Sequence, residues 1–220
     1  MSSIHNWIQA NSKLAKRILT LVGYDYRHWT RPVMYERCTA LIESLDTANI
    51  DVLEISAGNQ WQTVQFKSFT EANYPKFDIC EHVLERQFDL IIADQVFEHL
   101  LRPNQAAKNI HTMLKPGGHF LITTPFLIKI HAIPNDCTRW TETGLKYFLG
   151  ECGFPVEDIV TASWGNRSCV KANFHGWARK GWFGSLKNEP DFPVSVWALA
   201  KKSDDPNYSI LPFEPKIVSL

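Results

Sequence analysis

Short apolar runs that alternate with helical segments constrain the fold of this chain more than any other sequence feature. The runs Asp51–Ile55, Phe88–Ala93 and His119–Thr124 are too short to be buried helices and have the length of buried strands. Before the third run, apolar residues at helical spacing predict a helix over about residues 104–114, which the Lys115–Gly118 breaker ends. Strands that alternate with helices predict an α/β protein with a doubly wound, mostly parallel sheet and helices on both faces.

Further helices and strands are predicted on either side of these runs. Helical spacing covers Ile4–Val22, a proline opens a second helix at Pro32–Leu45, and a third helix, capped by its first residue, covers Thr141–Gly153. Late strands are predicted near Val160–Trp164 and Val194–Ala200.

We divide the chain into one domain and a tail. Residues 1–202 are predicted to form a single domain, and residues 203–220, with three prolines and little periodicity, a surface tail. Within the domain, residues 1–46 hold the N-terminal helices, and residues 164–190 form an insertion before the last strand. We expect the N-terminal helices and the connector Tyr24–Arg31 to close as a lid over a bound ligand.

Charge and cysteine content argue against several functional classes. The 220-residue chain has 23 Lys and Arg residues against 23 Asp and Glu, so it has no electrostatic bias toward nucleic acid or an anionic membrane. Its apolar runs are too short to span a bilayer, and its five cysteines contain no Cys-x-x-Cys pair. We therefore predict a globular protein of a reducing cytoplasm, with no disulfide framework and no metal site.

The strand ends carry the first candidate binding residues, because ligands of an open α/β sheet bind at the carboxyl ends of the strands. Glu54 lies near the end of the first of these strands, and Gly58 lies in the loop that follows. A carboxylate there can hold an ammonium group or a ribose hydroxyl, and a glycine lets the backbone approach a ligand closely. The glycine could equally serve only the turn from strand to helix.

Three segments, in order, resemble the motifs of one enzyme family. Asp51–Asn59 resembles the first motif of the Rossmann-like, class I S-adenosylmethionine-dependent methyltransferases. Phe88–Leu100 is similar to their fourth-strand motif with its Glu-His pair, and Met113–Ile122 to their Leu-Lys-Pro-Gly-Gly turn into the fifth strand. The resemblance, to a small bacterial-type subset of the family, implies a Rossmann-like fold, S-adenosyl-L-methionine as the cofactor and methyl transfer as the activity.

The resemblance also implies which residues hold the cofactor. Six are assigned to its methionine half: Glu54, Ser56 and Gly58 at the methionine end, and Ala93, Asp94 and Gln95 beside the sulfonium and the amino acid moiety.

Asp78 and Ile79 resemble the acid-apolar pair that reads the adenine ring. The second strand lacks an obvious acid for the ribose hydroxyls, a position that Asn73 fits best and for which Glu71 competes.

Candidate catalytic residues follow the predicted fifth strand. Residues 125–140 contain Pro-x5-His-x2-Pro-x-Asp-x2-Arg-Trp, which resembles a pattern in bacterial methyltransferases linked to carbohydrate or secondary-metabolite modification. His131 is predicted to be a general base or orienting group, with Asp136 and Arg139 shaping the acceptor pocket; alternatively, these residues only brace the loop. His99 could reach the acceptor or be structural. A base matters chiefly for a hydroxyl acceptor, because sulfonium is a good leaving group and displacement mostly needs positioning.

The insertion interleaves aromatic and basic residues between Trp164 and Lys187. Such a pattern can bind a nucleic acid strand, but the neutral net charge favours a segment that folds over the acceptor pocket or forms a homodimer contact. The predicted partner is a small-molecule acceptor, a sugar or secondary metabolite methylated on oxygen or nitrogen, with no membrane partner.

The sequence leaves two alternatives to methyl transfer open and disfavours a third. One is an enzyme that uses the same cofactor for other chemistry, such as cyclisation, and another is a catalytically silent binding subunit. An NAD(P)-dependent oxidoreductase is disfavoured, because Gly-x-Gly-x-x-Gly does not follow the first predicted strand.

Overall fold

The computed structural model describes residues 17, 19–58, 60–174, 176–205 and 207–208. Most of the helix predicted over Ile4–Val22 and most of the C-terminal tail therefore lie outside the described residues; the described residues 17 and 19–21 are helical.

Eight strands form two sheets. The strands are β1 (Asp25–His28), β2 (Asp51–Ile55), β3 (Ser68–Ala72), β4 (Phe88–Asp94), β5 (Leu114–Pro125), β6 (Ile159–Trp164), β7 (Arg179–Gly181) and β8 (Ser195–Lys201). Six of them form the central sheet in the order β3-β2-β4-β5-β8-β6, and β1 pairs with β7 separately. Strands β3, β2, β4 and β5 are parallel, whereas β8 is antiparallel to both β5 and β6. The predicted α/β, mostly parallel sheet is confirmed.

After β1, the described residues form four α-helices: α1 (Pro32–Glu43), α2 (Pro103–Met113), α3 (Glu142–Glu151) and α4 (Arg167–Ala172). Their starts follow from local chemistry. Proline opens α1 and α2, where its missing N–H is not needed. The hydroxyl of Thr141 accepts a hydrogen bond from the Gly144 N–H and so caps α3, as predicted. The Glu-His pair expected on a helix after β4 instead lies in a single 3₁₀ turn, Phe97–His99.

The two faces of the sheet are buried under different helices. Alternate residues of β4 point to opposite faces: Leu90 and Ile92 pack in the cluster that contains the buried side of α1, whereas Ile91 and Ala93 pack with α2 and α3. Each fully buried aliphatic side chain contributes about 1.5–3 kcal/mol relative to exposure. Near-continuous burial explains why the strands are apolar runs rather than alternating ones.

Glycines are needed where β5 begins. Gly117 has a φ of 73°, and a Cβ on Gly118 would lie 2.9 Å from the backbone oxygen of Lys115. The Lys115–Gly118 breaker ends α2 as predicted, but it is already part of β5, which starts five residues earlier than expected.

The small sheet joins the connector before α1 to the insertion before β8. Its strands, β1 and β7, are antiparallel. Two indole groups reinforce the contact: Trp29 Nε1 donates to the Ser185 carbonyl at 2.9 Å, and Trp182 Nε1 donates to the Val22 carbonyl at 2.9 Å. This pairing, which we call the cap, was not predicted from the sequence. In the part of the chain that the structure describes, no helix has the length and apolar character needed to cross a membrane.

Candidate active site

Two strand-end turns form the centre of the candidate site. Ser56, after β2, and Gln95, after β4, have φ angles of 55° and 57°, in the left-handed region that side chains other than glycine rarely adopt. Tertiary hydrogen bonds hold both turns: Ser56 N donates to the Ala72 carbonyl at 2.9 Å, and Gln95 N to the Thr123 carbonyl at 3.1 Å. Backbone strain of this kind is commonly stored at functional sites.

Three cavities meet at Gln95. An apolar cavity of about 390 Å³ is lined by residues that include Ser56, Asp78, Ile79 and Gln95. A polar cavity of about 440 Å³ is lined by Arg31, Tyr35, Ser56, Gly58, Gln60, Asp94 and Gln95. A third cavity of about 140 Å³, which we call the histidine cavity, is lined by residues that include Gln95, Glu98, His99, His131 and Trp177.

Six of the nine predicted cofactor residues line the first two cavities, namely Ser56, Gly58, Asp78, Ile79, Asp94 and Gln95. Ala93 does not, because it is fully buried in the core. Asn73, assigned to the ribose, instead accepts a hydrogen bond from the Ala57 N–H at 2.7 Å and so braces the loop after β2. Its competitor Glu71 accepts from Gln62 Nε2 at 3.0 Å.

The ninth residue, Glu54, lies buried beneath the loop after β2. Its side-chain Oε1 accepts from the Gly58 N–H at 3.2 Å, whereas its buried Oε2 has no hydrogen-bond partner among the described residues. Burial, together with the nearby Asp94 and Glu71 charges, raises the pKa of Glu54 to about 7 although the Gly58 N–H opposes the change. A cationic group at this position would therefore pair with Glu54 Oε2, the carboxylate oxygen that has no partner among the described residues.

Asp94 is held by a hydrogen-bonded chain across the polar cavity. Thr123 Oγ1 donates to Asp94 Oδ1 at 2.5 Å, Tyr35 OH donates to Asp94 Oδ2 at 3.0 Å, and Arg31 Nη1 donates to Tyr35 OH at 3.0 Å. Burial raises the pKa of Asp94. The chain fixes Arg31 at the rim of both the polar and the histidine cavity. Sequence reasoning missed Arg31 and Tyr35, because the connector and the start of α1 carry no recognisable motif.

The predicted catalytic loop is built around Asp136. Its carboxylate accepts from the His131 backbone N–H at 2.8 Å and from Arg139 Nη2 at 2.6 Å, and its Oδ2 lies 3.2 Å from His131 Nδ1. Burial tends to raise the pKa of Asp136, but the hydrogen bonds from Arg139 and His131 outweigh it and the pKa is lowered. Asp136 and Arg139 thus brace the loop and orient His131 at the same time. A bracing role and a role in shaping the acceptor pocket are therefore compatible.

His99 and His131 face each other in the histidine cavity. Their ring centroids lie 5.0 Å apart at nearly right angles, and Trp177 of the insertion packs edge-on to His131 at 5.3 Å. The His99 ring is anchored through Nδ1, which lies 2.5 Å from the Asn135 carbonyl oxygen. Burial lowers the pKa of His131, so at neutral pH its imidazole can accept a proton.

Glu98 is a third residue that sequence reasoning missed. It was noted as part of the Glu-His motif and given no role, yet it is fully buried at the wall of the histidine cavity. Neither carboxylate oxygen receives a hydrogen bond from another described residue, and burial raises its pKa to about 7. Its Oε1 lies 3.5 Å from His99 Nε2 and 4.0 Å from His131 Nε2. The sequence feature that pointed to Glu98 was its position, as an acid shortly after a buried strand and its turn.

The geometry is that of a binding site at the strand ends of a doubly wound sheet, where an apolar and a polar cavity lie beside the small histidine cavity. A family model described as a methyltransferase domain matches residues 9–148, more than half of the chain. The chain belongs to this methyltransferase-domain family.

Solved structures share the fold at low sequence identity. A complex of the Trm112 methyltransferase activator of Haloferax volcanii with a proposed methyltransferase matches with a TM-score of 0.55 and 11% identity, over 83% of this chain and 92% of that chain. An S-adenosylmethionine-dependent methyltransferase of Mesorhizobium loti matches with a TM-score of 0.50 and 15% identity, over 74% and 96%. Phosphoethanolamine N-methyltransferase 2 of Haemonchus contortus, in complex with S-adenosylhomocysteine, matches with a TM-score of 0.52 and 14% identity, over 76% and 52%. No curated protein sequence matches the chain.

The residues present fit S-adenosylmethionine as the cofactor. The apolar cavity offers Asp78 and Ile79 to an adenine ring, and the polar cavity offers the Arg31 guanidinium to a carboxylate. The unpaired Oε2 of Glu54 suits an ammonium group. When bound, the cofactor supplies an electrophilic methyl group on a sulfonium.

Proposed function

We propose that this methyltransferase transfers the methyl group to an oxygen or nitrogen of a small polar acceptor, with sugars and secondary metabolites as the favoured class. One observation carries the proposal: Gln95 lines all three cavities, so the region assigned to the cofactor adjoins the histidine cavity. That cavity, at about 140 Å³, is small and is lined by Glu98, His99 and His131, which suits a hydroxyl or amino group.

The protein residues act mainly by positioning. Fixing the two reactants in line can contribute about 7–11 kcal/mol of the barrier, whereas a general base adds roughly 10²–10⁴-fold. The rigid turns at Ser56 and Gln95 and the Arg31–Tyr35–Asp94 chain supply the fixed frame on the cofactor side. On the acceptor side, the cluster of Glu98, His99 and His131 accepts a hydrogen bond from a hydroxyl acceptor or removes its proton.

The cap is proposed to close the acceptor side; of the lid predicted from the sequence, it contains the connector Tyr24–Arg31, whereas most of the N-terminal helical segment lies outside the described residues. Trp177, from the insertion, lines the histidine cavity and stacks edge-on against His28 as well as His131. Several basic residues of the insertion are used within the cap: Arg179 donates to the Tyr26 carbonyl, Arg167 pairs with Glu189 and Lys180 lies near Asp25. This use favours a closing or dimer-forming segment over a nucleic-acid surface. All five cysteines are free, which fits the proposed reducing cytoplasm.

Titration calorimetry with S-adenosylmethionine and S-adenosylhomocysteine tests the cofactor half of the proposal. We expect micromolar binding of both ligands to the wild type and at least tenfold weaker binding to Asp78→Ala. Because Asp78 Oδ1 also accepts from the Cys80 N–H at 2.8 Å, Asp78→Asn serves as a second variant that keeps this contact. Glu85→Ala, on the exposed surface, is the matched control and should bind like the wild type.

Acceptor screening with labelled S-adenosylmethionine then tests the acceptor half. Methyl transfer to a sugar or a small hydroxylated or amino compound is the expected result. Binding with no turnover of any acceptor would instead favour the silent binding subunit. Consumption of the cofactor without an acceptor would favour cyclisation.

A further inference from the structure

Glu98, His99 and His131 present three metal-ligating groups to one point of the histidine cavity. One ligand atom from each residue can be chosen so that all three lie within 4.8 Å of one another. Zinc binds histidine nitrogen and carboxylate oxygen at about 2.0–2.2 Å, so two ligand atoms of a tetrahedral site lie roughly 3.4 Å apart. The 3.5 Å from Glu98 Oε1 to His99 Nε2 already matches, and the 4.0 Å to His131 Nε2 requires a shift of about half an ångström.

The Nδ1 atom of each imidazole ring lies beside an oxygen. His99 Nδ1 is held by the Asn135 carbonyl oxygen at 2.5 Å, and its Nδ1 proton, donated to this oxygen, leaves the lone pair on Nε2, which faces Glu98. His131 Nδ1 lies 3.2 Å from Asp136 Oδ2 and 3.4 Å from Arg139 Nη2, and His131 Nε2 can bind a metal when the Nδ1 proton is donated to Asp136. Metal-binding histidines typically have such a carbonyl or carboxylate partner on the second nitrogen.

Glu98 supplies an independent sign that a ligand belongs here. The residue is fully buried, and its two carboxylate oxygens receive no hydrogen bond from another described residue. A buried carboxylate without a partner is costly, whereas coordination of a cation would satisfy it. The charges of Arg139 and Arg31 act on Glu98 from a distance, but neither guanidinium donates to it, since Arg139 pairs with Asp136 and Arg31 donates to Tyr35.

We propose that Glu98, His99 and His131 bind one divalent transition-metal ion, in a two-histidine, one-carboxylate site that leaves coordination positions open toward Gln95 and Trp177. This donor set suits zinc, manganese or iron(II), and cobalt(II) can serve as a spectroscopic probe. No metal site was predicted from the sequence. Metal binding itself does not depend on the proposed function.

The catalytic consequence rests on the proposed function. An acceptor hydroxyl bound at an open position becomes more acidic and loses its proton to solvent. Its oxygen then forms a bond to the methyl carbon while the carbon–sulfur bond breaks, and the bonding electron pair stays on sulfur as a neutral thioether. In this arrangement His131 is a ligand and the cation, rather than the imidazole, activates the acceptor.

Cobalt(II) titration of chelator-treated protein tests the site without any turnover. We expect one equivalent of Co²⁺ to bind with visible absorption bands of a nitrogen- and oxygen-ligated ion. Affinity for Co²⁺ should fall at least tenfold in His131→Ala and in Glu98→Gln. The matched control is His119→Gln, in the middle of β5 and not in the lining of the histidine cavity, and it should bind Co²⁺ like the wild type.

Two further measurements make each outcome decisive. Circular dichroism and S-adenosylhomocysteine binding report whether His131→Ala is folded, and this variant alone suffices if Glu98→Gln does not fold. Wild-type protein that binds S-adenosylhomocysteine but no Co²⁺ or Zn²⁺ would overturn the metal site and leave the proposed function standing. Co²⁺ binding that is unchanged in folded His131→Ala would overturn the assignment of the ligands. Co²⁺ binding lost in His131→Ala, in a protein that methylates nothing, would support the site while the proposed function fails.

Discussion

Replacing Glu54 by glutamine should stabilise the protein in a pH-dependent manner. The ordinary pKa of this carboxyl is 4.5, and burial raises it to about 7 in the folded state. At about 1.4 kcal/mol per pH unit, the folded state disfavours the ionised form by about 3 kcal/mol. Glutamine keeps the shape and the acceptor for the Gly58 N–H but cannot ionise.

The sign follows from which state holds the proton. Below pH 4.5 both states of the wild type are protonated, so the group has no effect on the unfolding free energy. Between pH 4.5 and about 7 the unfolded chain releases the proton while folded Glu54 retains it, and the wild type loses up to about 3 kcal/mol of stability. Above pH 7 the loss is complete. Glu54→Gln avoids this loss, so its advantage grows over that window.

Urea unfolding at pH 4.5 and pH 8 measures the effect. Glu54→Gln should match the wild type at pH 4.5 and exceed its unfolding free energy by about 3 kcal/mol at pH 8. Glu85→Gln, an exposed acid, should show no such growth. The same variant should bind S-adenosylmethionine more weakly at pH 8, because the carboxylate proposed to face the ammonium is gone. An identical stability difference at both pH values would refute the assignment of a buried, unpaired carboxyl.

Two further substitutions separate the cofactor side from the acceptor side. Tyr35→Phe removes the hydroxyl that joins Arg31 to Asp94, and we expect about tenfold weaker binding of S-adenosylmethionine by calorimetry, a cost of about 1.4 kcal/mol. Tyr147→Phe, on the exposed side of α3, is its control, and unchanged affinity of Tyr35→Phe would contradict the role of the chain. Trp177→Ala should raise the KM for the acceptor about tenfold while leaving cofactor affinity within twofold, because Trp177 lines the histidine cavity. An equal loss of cofactor affinity would show that Trp177 supports the fold rather than the acceptor.

Most of the strands and helix ends were predictable, because the sequence patterns that specify them are local. Apolar runs of strand length located β2, β4, β6 and β8, and the Lys115–Gly118 breaker located the end of α2. The parallel order of strands then put the turns after β2 and β4 at one edge of the sheet. Six predicted cofactor residues line the cavities there, for the same topological reason.

The acceptor side depended on contacts between distant segments. The pairing of β1 with β7 joins residues more than 150 positions apart, and nothing in either short, polar strand specifies the partner. The Arg31–Tyr35–Asp94 chain likewise joins the start of α1 to the end of β4, about 60 residues further along the chain.

Glu98 shows most clearly where sequence reasoning ends. An acid in a turn is by default a solvated residue, so its pattern predicts exposure. Only the packing of the loop that carries His131 over the 3₁₀ turn removes Glu98 from water and places two imidazole rings within 4.0 Å of its carboxylate. The sequence by itself determined the sheet and the edge that binds the cofactor, because periodicity and turn chemistry are local. The tertiary structure alone decided the chemistry of the histidine cavity, because burial and the distance between side chains arise only when remote segments pack.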